Sequence, residues 1–183
     1  MRRITIWIAL GGLWMIPPAH ADERQAADFA RKAASGGRME VRLGEVAKTN
    51  AASEDVRAFG LRMVTDHSKA NRELEAEAQR LGIALPSEMS KDDAERVAKL
   101  EKLHGTAFDR SYMDAMVKDH EEDVKAFRAE AKDTDSPLQA FAEKTTPTLE
   151  SHLEQARRVK AALGAEGIGS TARRDPRPGS TRP

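Results

Sequence analysis

The chain has 183 residues, 39% of them hydrophobic, with 30 basic and 30 acidic side chains and no cysteine. That length suits one domain with one good core, and a balanced charge lacks the basic excess that nucleic-acid binding requires. Without cysteine there is no disulfide and no lipoprotein attachment site, so packing must hold the fold.

Residues 1–21 read as a secretory signal peptide. Arg2 and Arg3 give a positive start, Ile4 to Ile16 is an apolar run too short to span a bilayer, and Ala19-His20-Ala21 is an A-x-A cleavage site. The expected location is the periplasm or the exterior, with no transmembrane span in the mature protein. Cleavage would remove both tryptophans, Trp7 and Trp14. It would also leave residues 22–163 with a net charge of −4, since the tail adds four arginines against two acids.

The rest of the chain shows no sustained alternation of apolar and polar residues. Ala, Glu, Lys, Arg and Leu dominate, with apolar residues at three- and four-residue steps, which predicts an all-α fold. The first helix is expected over about residues 22–50, with a seam of Phe29, Ala33, Gly36, Glu40, Leu43 and Ala47. Gly36-Gly37 inside it either kinks the helix or admits a close neighbour. The second starts at the N-cap Ser53 and stops at Gly82, with Val56, Gly60, Met63, His67, Ala70, Leu74 and Leu81 on its seam. A short helix opens at Ser90 and ends at His104-Gly105.

Thr106 with Asp109 resembles a capping box for the next long helix, which runs to about Lys132 through Met113, Met116, His120, Val124, Phe127 and Ala131. Ser136-Pro137 opens the last helix, closed by Gly164, with Leu138, Phe141, Thr145, Leu149, His152, Ala156, Val159 and Leu163 inward. Pro147 lies inside it and should free a carbonyl near Glu143. Four helices of about 40 Å, joined by short turns and one longer connection that carries the short helix between the second and third of them, make an up-down four-helix bundle over residues 22–163. The tail, residues 164–183, is rich in Gly, Pro, Ser and Arg and reads as disordered.

Each long seam carries one titratable residue near its midpoint: Glu40, His67, His120 and His152. Midpoints of packed helices share a height, so the four can meet in one layer. Buried separately they would each be costly, and the cheaper solutions are a mutual hydrogen-bond network or a metal ion. Three imidazoles and a carboxylate make a tetrahedral set for zinc, and imidazole also suits copper, iron or nickel. Met39, Met63, Met113 and Met116 flank the layer, as core filler or, beside histidines in an exported protein, as partners for copper(I). Asp66 and Asp119 precede their histidines by one position, about 100° round the helix, and read as solvated, with hydrogen bonding behind the histidines as the lesser alternative. His104 reads as a capping or surface residue.

No Gly-rich phosphate loop, nucleophile elbow or H-E-x-x-H occurs, so no motif marks an enzyme. The leading functional reading is an exported bundle that binds a single transition metal, to buffer, carry or sense it. The other is a non-catalytic structural, interaction or stress-related envelope protein whose polar layer only fixes helix packing. Nothing in the sequence sets an oligomeric state.

Met39-Glu40-Val41, Leu43-Gly44, Phe59-Gly60, the run Met63-Val64-Thr65-Asp66-His67-Ser68-Lys69-Ala70-Asn71 and Leu74 resemble the exported bacterial family called domain of unknown function 4142. So do Phe108-Asp109, Tyr112-Met113, His120, Phe127, Pro147-Thr148-Leu149 and His152-Leu153. The resemblance spans about residues 24–163 and implies a ferritin-like four-helix fold. Members are often labelled predicted outer membrane proteins, yet no alternating strands of a barrel occur here. Ferritin-like di-iron sites place Glu-x-x-His on two helices. Here Val64, Val117 and Leu149 stand three before the histidines, which disfavours two bridged irons.

Overall fold

The computed structural model describes residues 21–172, with side chains from residue 23 to 165. The signal-peptide reading, up to residue 20, and the tail from residue 173 lie outside the described residues. Among those described there are five helices and no strand: α1 (Ala21–Asn50), α2 (Glu54–Leu81), α3 (Lys91–Leu100), α4 (Gly105–Lys132) and α5 (Gln139–Ala172). None of them is long and apolar enough to cross a membrane.

α1 packs along α2 and α4 along α5, with narrower contacts from α1 to α4 and from α2 to α5. Round the bundle the order is therefore α1, α2, α5, α4. The segment carrying α3 brings the chain back along α1. Ser35 Oγ accepts from the Ser90 N–H at 2.7 Å and donates to Asp93 at 2.5 Å, while Asn50 Nδ2 donates to the Leu103 carbonyl at 2.8 Å. α4 thus starts at the end of the bundle where α2 starts. The sequence-adjacent pairs α1/α2 and α4/α5 are antiparallel, and the diagonal pair α2/α4 is parallel. One long crossover of this kind is the ferritin-like connectivity.

Local chemistry sets the helix ends. Ser90 caps α3 by accepting the Asp93 N–H, and Gly82 takes the left-handed conformation that ends α2, at φ +69°. Two expected caps are corrected. Asp109 does not cap its own helix: it is buried and accepts the backbone N–H of Ala52 and Ser53 at 3.1 and 2.9 Å, tying α4 to the α1–α2 turn. Gly164 does not end α5, which runs on to Ala172, because Gly164 stays out of the left-handed region a glycine stop requires. Pro147 leaves α5 unbroken. It and Glu143 are both exposed, so the freed carbonyl faces water.

The α1–α2 pair packs backbone to backbone at two glycines. A Cβ on Gly44 would stand 2.5 Å from the Gly60 carbonyl, and one on Gly60 would stand 2.6 Å from the Ala47 Cβ. In the first half of α1 the buried stripe is Ala26, Ala30 and Ala34, one step round from the expected Phe29, Ala33 and Gly36, which are half-buried. Phe29 covers the edge of the core with its ring on Phe127, at 4.8 Å.

Apolar burial falls into two clusters. One holds Leu43, Val56, Phe59, Met63, Phe108, Tyr112 and Met116; the other holds Ala30, Leu74, Val124, Phe127, Phe141 and Leu149. Glu40, His67, His120 and His152 lie between them in sequence on every long helix. The bundle core is therefore cut in two by a polar layer, with apolar packing on both sides of it.

Candidate metal centre

All four residues expected in the layer are there and buried: Glu40 is 1% exposed, His67 5%, and His120 and His152 0%. Each arrives because it replaces an apolar residue on the inward stripe of its helix, midway along. The three imidazoles form a nearly equilateral triangle, with ring centroids 5.2, 5.3 and 5.5 Å apart. One nitrogen from each ring can be chosen so that all three lie within 4.8 Å of one another, close enough to hold a metal ion. Glu40 is not in that trio.

The outer nitrogens have acceptors. His67 Nδ1 lies 2.9 Å from Glu40 Oε2. His120 Nδ1 lies 3.0 Å from the Met116 carbonyl, one helical turn back, and 3.3 Å from Glu40 Oε1. His152 Nε2 lies 2.8 Å from Asp66 Oδ2. A carbonyl or carboxylate only accepts, so with the carboxylates ionised each of these ring nitrogens carries the hydrogen. The His120 proton goes to Met116, which leaves Glu40 Oε1 near it without a hydrogen bond. The inner nitrogens His67 Nε2, His120 Nε2 and His152 Nδ1 then present lone pairs. His67 Nε2 has no partner among the described residues. His120 Nε2 faces His152 Nδ1 at 3.3 Å.

Burial dominates the electrostatics. It lowers the pKa of His67 to about 4 and that of His152 to about 3, the latter against the upward pull of Asp66. His120 is lowered by the same desolvation, against Glu40. Burial raises Glu40 to about 7, opposed by His120. Asp66 is less buried: its desolvation is outweighed by His152 and Arg62, and its pKa falls. Arg62 holds that carboxylate at 3.3 Å and also donates to Gln155 and Ser151 on α5, which closes this side of the layer.

On the opposite side stand charged groups the sequence reading assigned to solvent or passed over. Asp119 is buried and pairs with Arg96 from α3, leaving its Oδ2 without a partner among the described residues. Burial raises its pKa, against Arg96. Asp123 is pushed well above the ordinary carboxylate range by burial and then by Glu40, against His67. The available signal was spacing: Asp123 is three residues past His120, so it shares that face of α4. Tyr112 is fully buried, and its hydroxyl has no partner among the described residues. His104 is exposed at the N-cap of α4 and makes no side-chain cap bond.

The model of the family described as domain of unknown function (DUF4142) matches residues 16–159. The chain belongs to the DUF4142 family. This DUF4142 domain shares its fold with a DUF305 fragment from Deinococcus radiodurans, seen in a crystal structure. The TM-score is 0.64 at 19% identity, over 81% of this chain and 99% of that one. No curated protein matches the chain.

Proposed function

We propose that this protein is an exported bundle that binds one transition-metal ion through His67, His120 and His152. Glu40 and Asp66 act behind the histidines, holding the outer N–H of His67 and His152 and so setting which nitrogen faces the ion. Glu40 was expected as a fourth ligand; its bond to His67 favours the supporting position. A set of neutral imidazoles suits zinc, copper, iron or nickel, and a buffering, carrying or sensing role fits a site with no attached catalytic motif.

The observation that carries this reading is the pair of inner nitrogens 3.3 Å apart, His120 Nε2 and His152 Nδ1, with both outer nitrogens committed as donors. Two lone pairs at that distance repel unless a cation lies between them. Nitrogens at 2.0–2.1 Å from a tetrahedral zinc stand about 3.3 Å apart, so the spacing matches ligation. The competing cation is a proton, which would make a polar layer that only fixes packing. It would turn His152 into a buried imidazolium, and burial holds that pKa down at about 3.

The test is metal analysis of the exported protein beside His120→Ala and the near-isosteric His120→Gln. About one equivalent in the wild type and none in either variant is expected; equal, substoichiometric metal in all three overturns the proposal. Export has its own check. The mature protein should lack tryptophan emission, and a tryptophan signal would mean that Trp7 and Trp14 are retained.

A further inference from the structure

Two hollows adjoin the layer on the side away from Arg62. The outer one, beside α3, has a volume of about 540 Å³ and opens to solvent. The inner one, about 30 Å³, is large enough for a water-sized object and is lined by Glu40 and His67. Both of those side chains are more than nine-tenths buried, and Glu40 Oε1 and His67 Nε2 have no hydrogen-bond partner among the described residues. The hollows share Ala33, Gly36, Asp123 and Phe127 as a common wall.

We infer, resting on the metal reading above, that the outer hollow is the way in for a divalent cation, with Asp123 passing it to Glu40 and His67 and Gly36 keeping the passage open. The other side of the layer is closed to cations by the Arg62 guanidinium, which is bonded to Asp66, Ser151 and Gln155. Five carboxylates line the outer hollow against three basic side chains. Arg31 pairs outward with Asp28 at 3.5 Å, and Arg96 with Asp119, one of the five, which leaves four carboxylates and Lys32. Carboxylates in a low-dielectric cleft concentrate the field and draw cations inward. Gly36 explains itself in the same way. A glycine in a helix interior sacrifices helix stability, and here a Cβ would meet nothing within 4 Å. Close packing does not demand this glycine, as it does Gly44 and Gly60. What a larger side chain would fill is the wall between the two hollows.

The experiment follows uptake of Co²⁺ by the purified protein in a stopped-flow spectrometer, reading the visible absorption of the bound ion. Gly36→Ala should load at the wild-type rate. Gly36→Leu should load at least about tenfold more slowly, since the ion must wait for a local opening, and reach the same final stoichiometry. Asp123→Asn should slow loading roughly tenfold and weaken the dependence of the rate on salt. Gly36→Leu loading as fast as the wild type, with unchanged helical circular dichroism, overturns the passage. If Gly36→Leu does not fold, an unchanged rate and salt dependence in Asp123→Asn overturn it. A wild type that binds no Co²⁺ overturns the metal reading and the passage together; wild-type rates in every variant overturn the passage alone.

Discussion

Replacing Glu40 by Gln removes one buried ionisable group and keeps its shape. In the metal-free protein the folded state holds the Glu40 proton to about pH 7, whereas the unfolded chain releases it near 4.5. The stability this group contributes is therefore fully present below pH 4.5 and is lost as the pH rises through 7. The gap corresponds to about 3 kcal/mol. Gln suffers no such loss. It brings a constant penalty of its own, because its amide sets an N–H where Glu40 Oε1 stands 3.3 Å from His120 Nδ1. That penalty does not vary with pH, so the slope is the quantity to read. The histidines have the opposite linkage and are present in both proteins; of them His120 feels Glu40 directly, and its pKa falls further when that charge is removed. The assay is urea unfolding in a chelator at pH 4.5, 6 and 8. The wild type should lose about 3 kcal/mol relative to Glu40→Gln across that range. A difference flat to within about 0.5 kcal/mol would mean that Glu40 does not keep its proton in the fold, and the electrostatic account of the layer would fail.

Asp66→Asn should weaken metal binding about 10- to 100-fold in a competition titration while leaving the fold intact, since it touches the outer nitrogen of His152 and the half-exposed Arg62 but no apolar packing; unchanged affinity would remove Asp66 from the site. Asp109→Ala should lower stability by about 3 kcal/mol in urea unfolding, because two backbone N–H groups lose their acceptor. A loss under about 1 kcal/mol would show that water replaces the carboxylate. Gly60→Ala and Gly36→Ala should move in opposite directions. The first overpacks against Ala47 and costs about 1–3 kcal/mol, whereas the second enters open space and stabilises α1 by up to about 1 kcal/mol. Equal melting temperatures for the two variants would refute the backbone contact at Gly60.

The sequence made the layer legible because each long helix interrupts its apolar stripe once. Leu149 and Ala156 bracket His152, and Met116 and Val124 bracket His120, at steps of three or four that only a helix brings to one face. The two sides of the layer were not legible, for a common reason: they are made between helices. Asp66 sits off the seam of α2, and only the neighbouring α5 turns it into a partner for His152. Asp119 and Asp123 lie amid Glu121, Glu122 and Lys125, a run that reads as solvated. Burial there comes from α3, folded across α1 and α4 through contacts such as Ser35 with Asp93 and Arg96 with Asp119. The one-step offset in early α1 has a similar origin. Periodicity cannot separate Ala30 from Ala33 as the inward alanine, and the large Phe29 drew the seam toward itself while packing only at the rim.

The choice of histidine in this layer is itself informative. Neutral imidazole has one donor and one acceptor. Three rings bring three donors, and with Glu40 and Asp66 ionised those meet three outer acceptors: Glu40, the Met116 carbonyl and Asp66. Three inner lone pairs remain with no donor among them, each an unsatisfied buried acceptor at about 1–3 kcal/mol. A layer needed only for helix register is better served by Asn or Gln, whose amides both donate and accept. The surrounding charges point the same way. Burial raises the pKa of both Glu40 and Asp123, so the metal-free fold disfavours ionising them. With both ionised, Glu40, Asp66 and Asp123 against Arg62 leave two negative charges around the histidines, the Asp119–Arg96 pair cancelling itself. A divalent cation at the inner nitrogens satisfies the lone pairs, balances those charges and favours the ionised form of both carboxyls. Metal uptake should therefore be accompanied by proton release. A titration of zinc into the protein in two buffers of different ionisation enthalpy measures that release, and the same apparent binding enthalpy in both would refute this account of the layer.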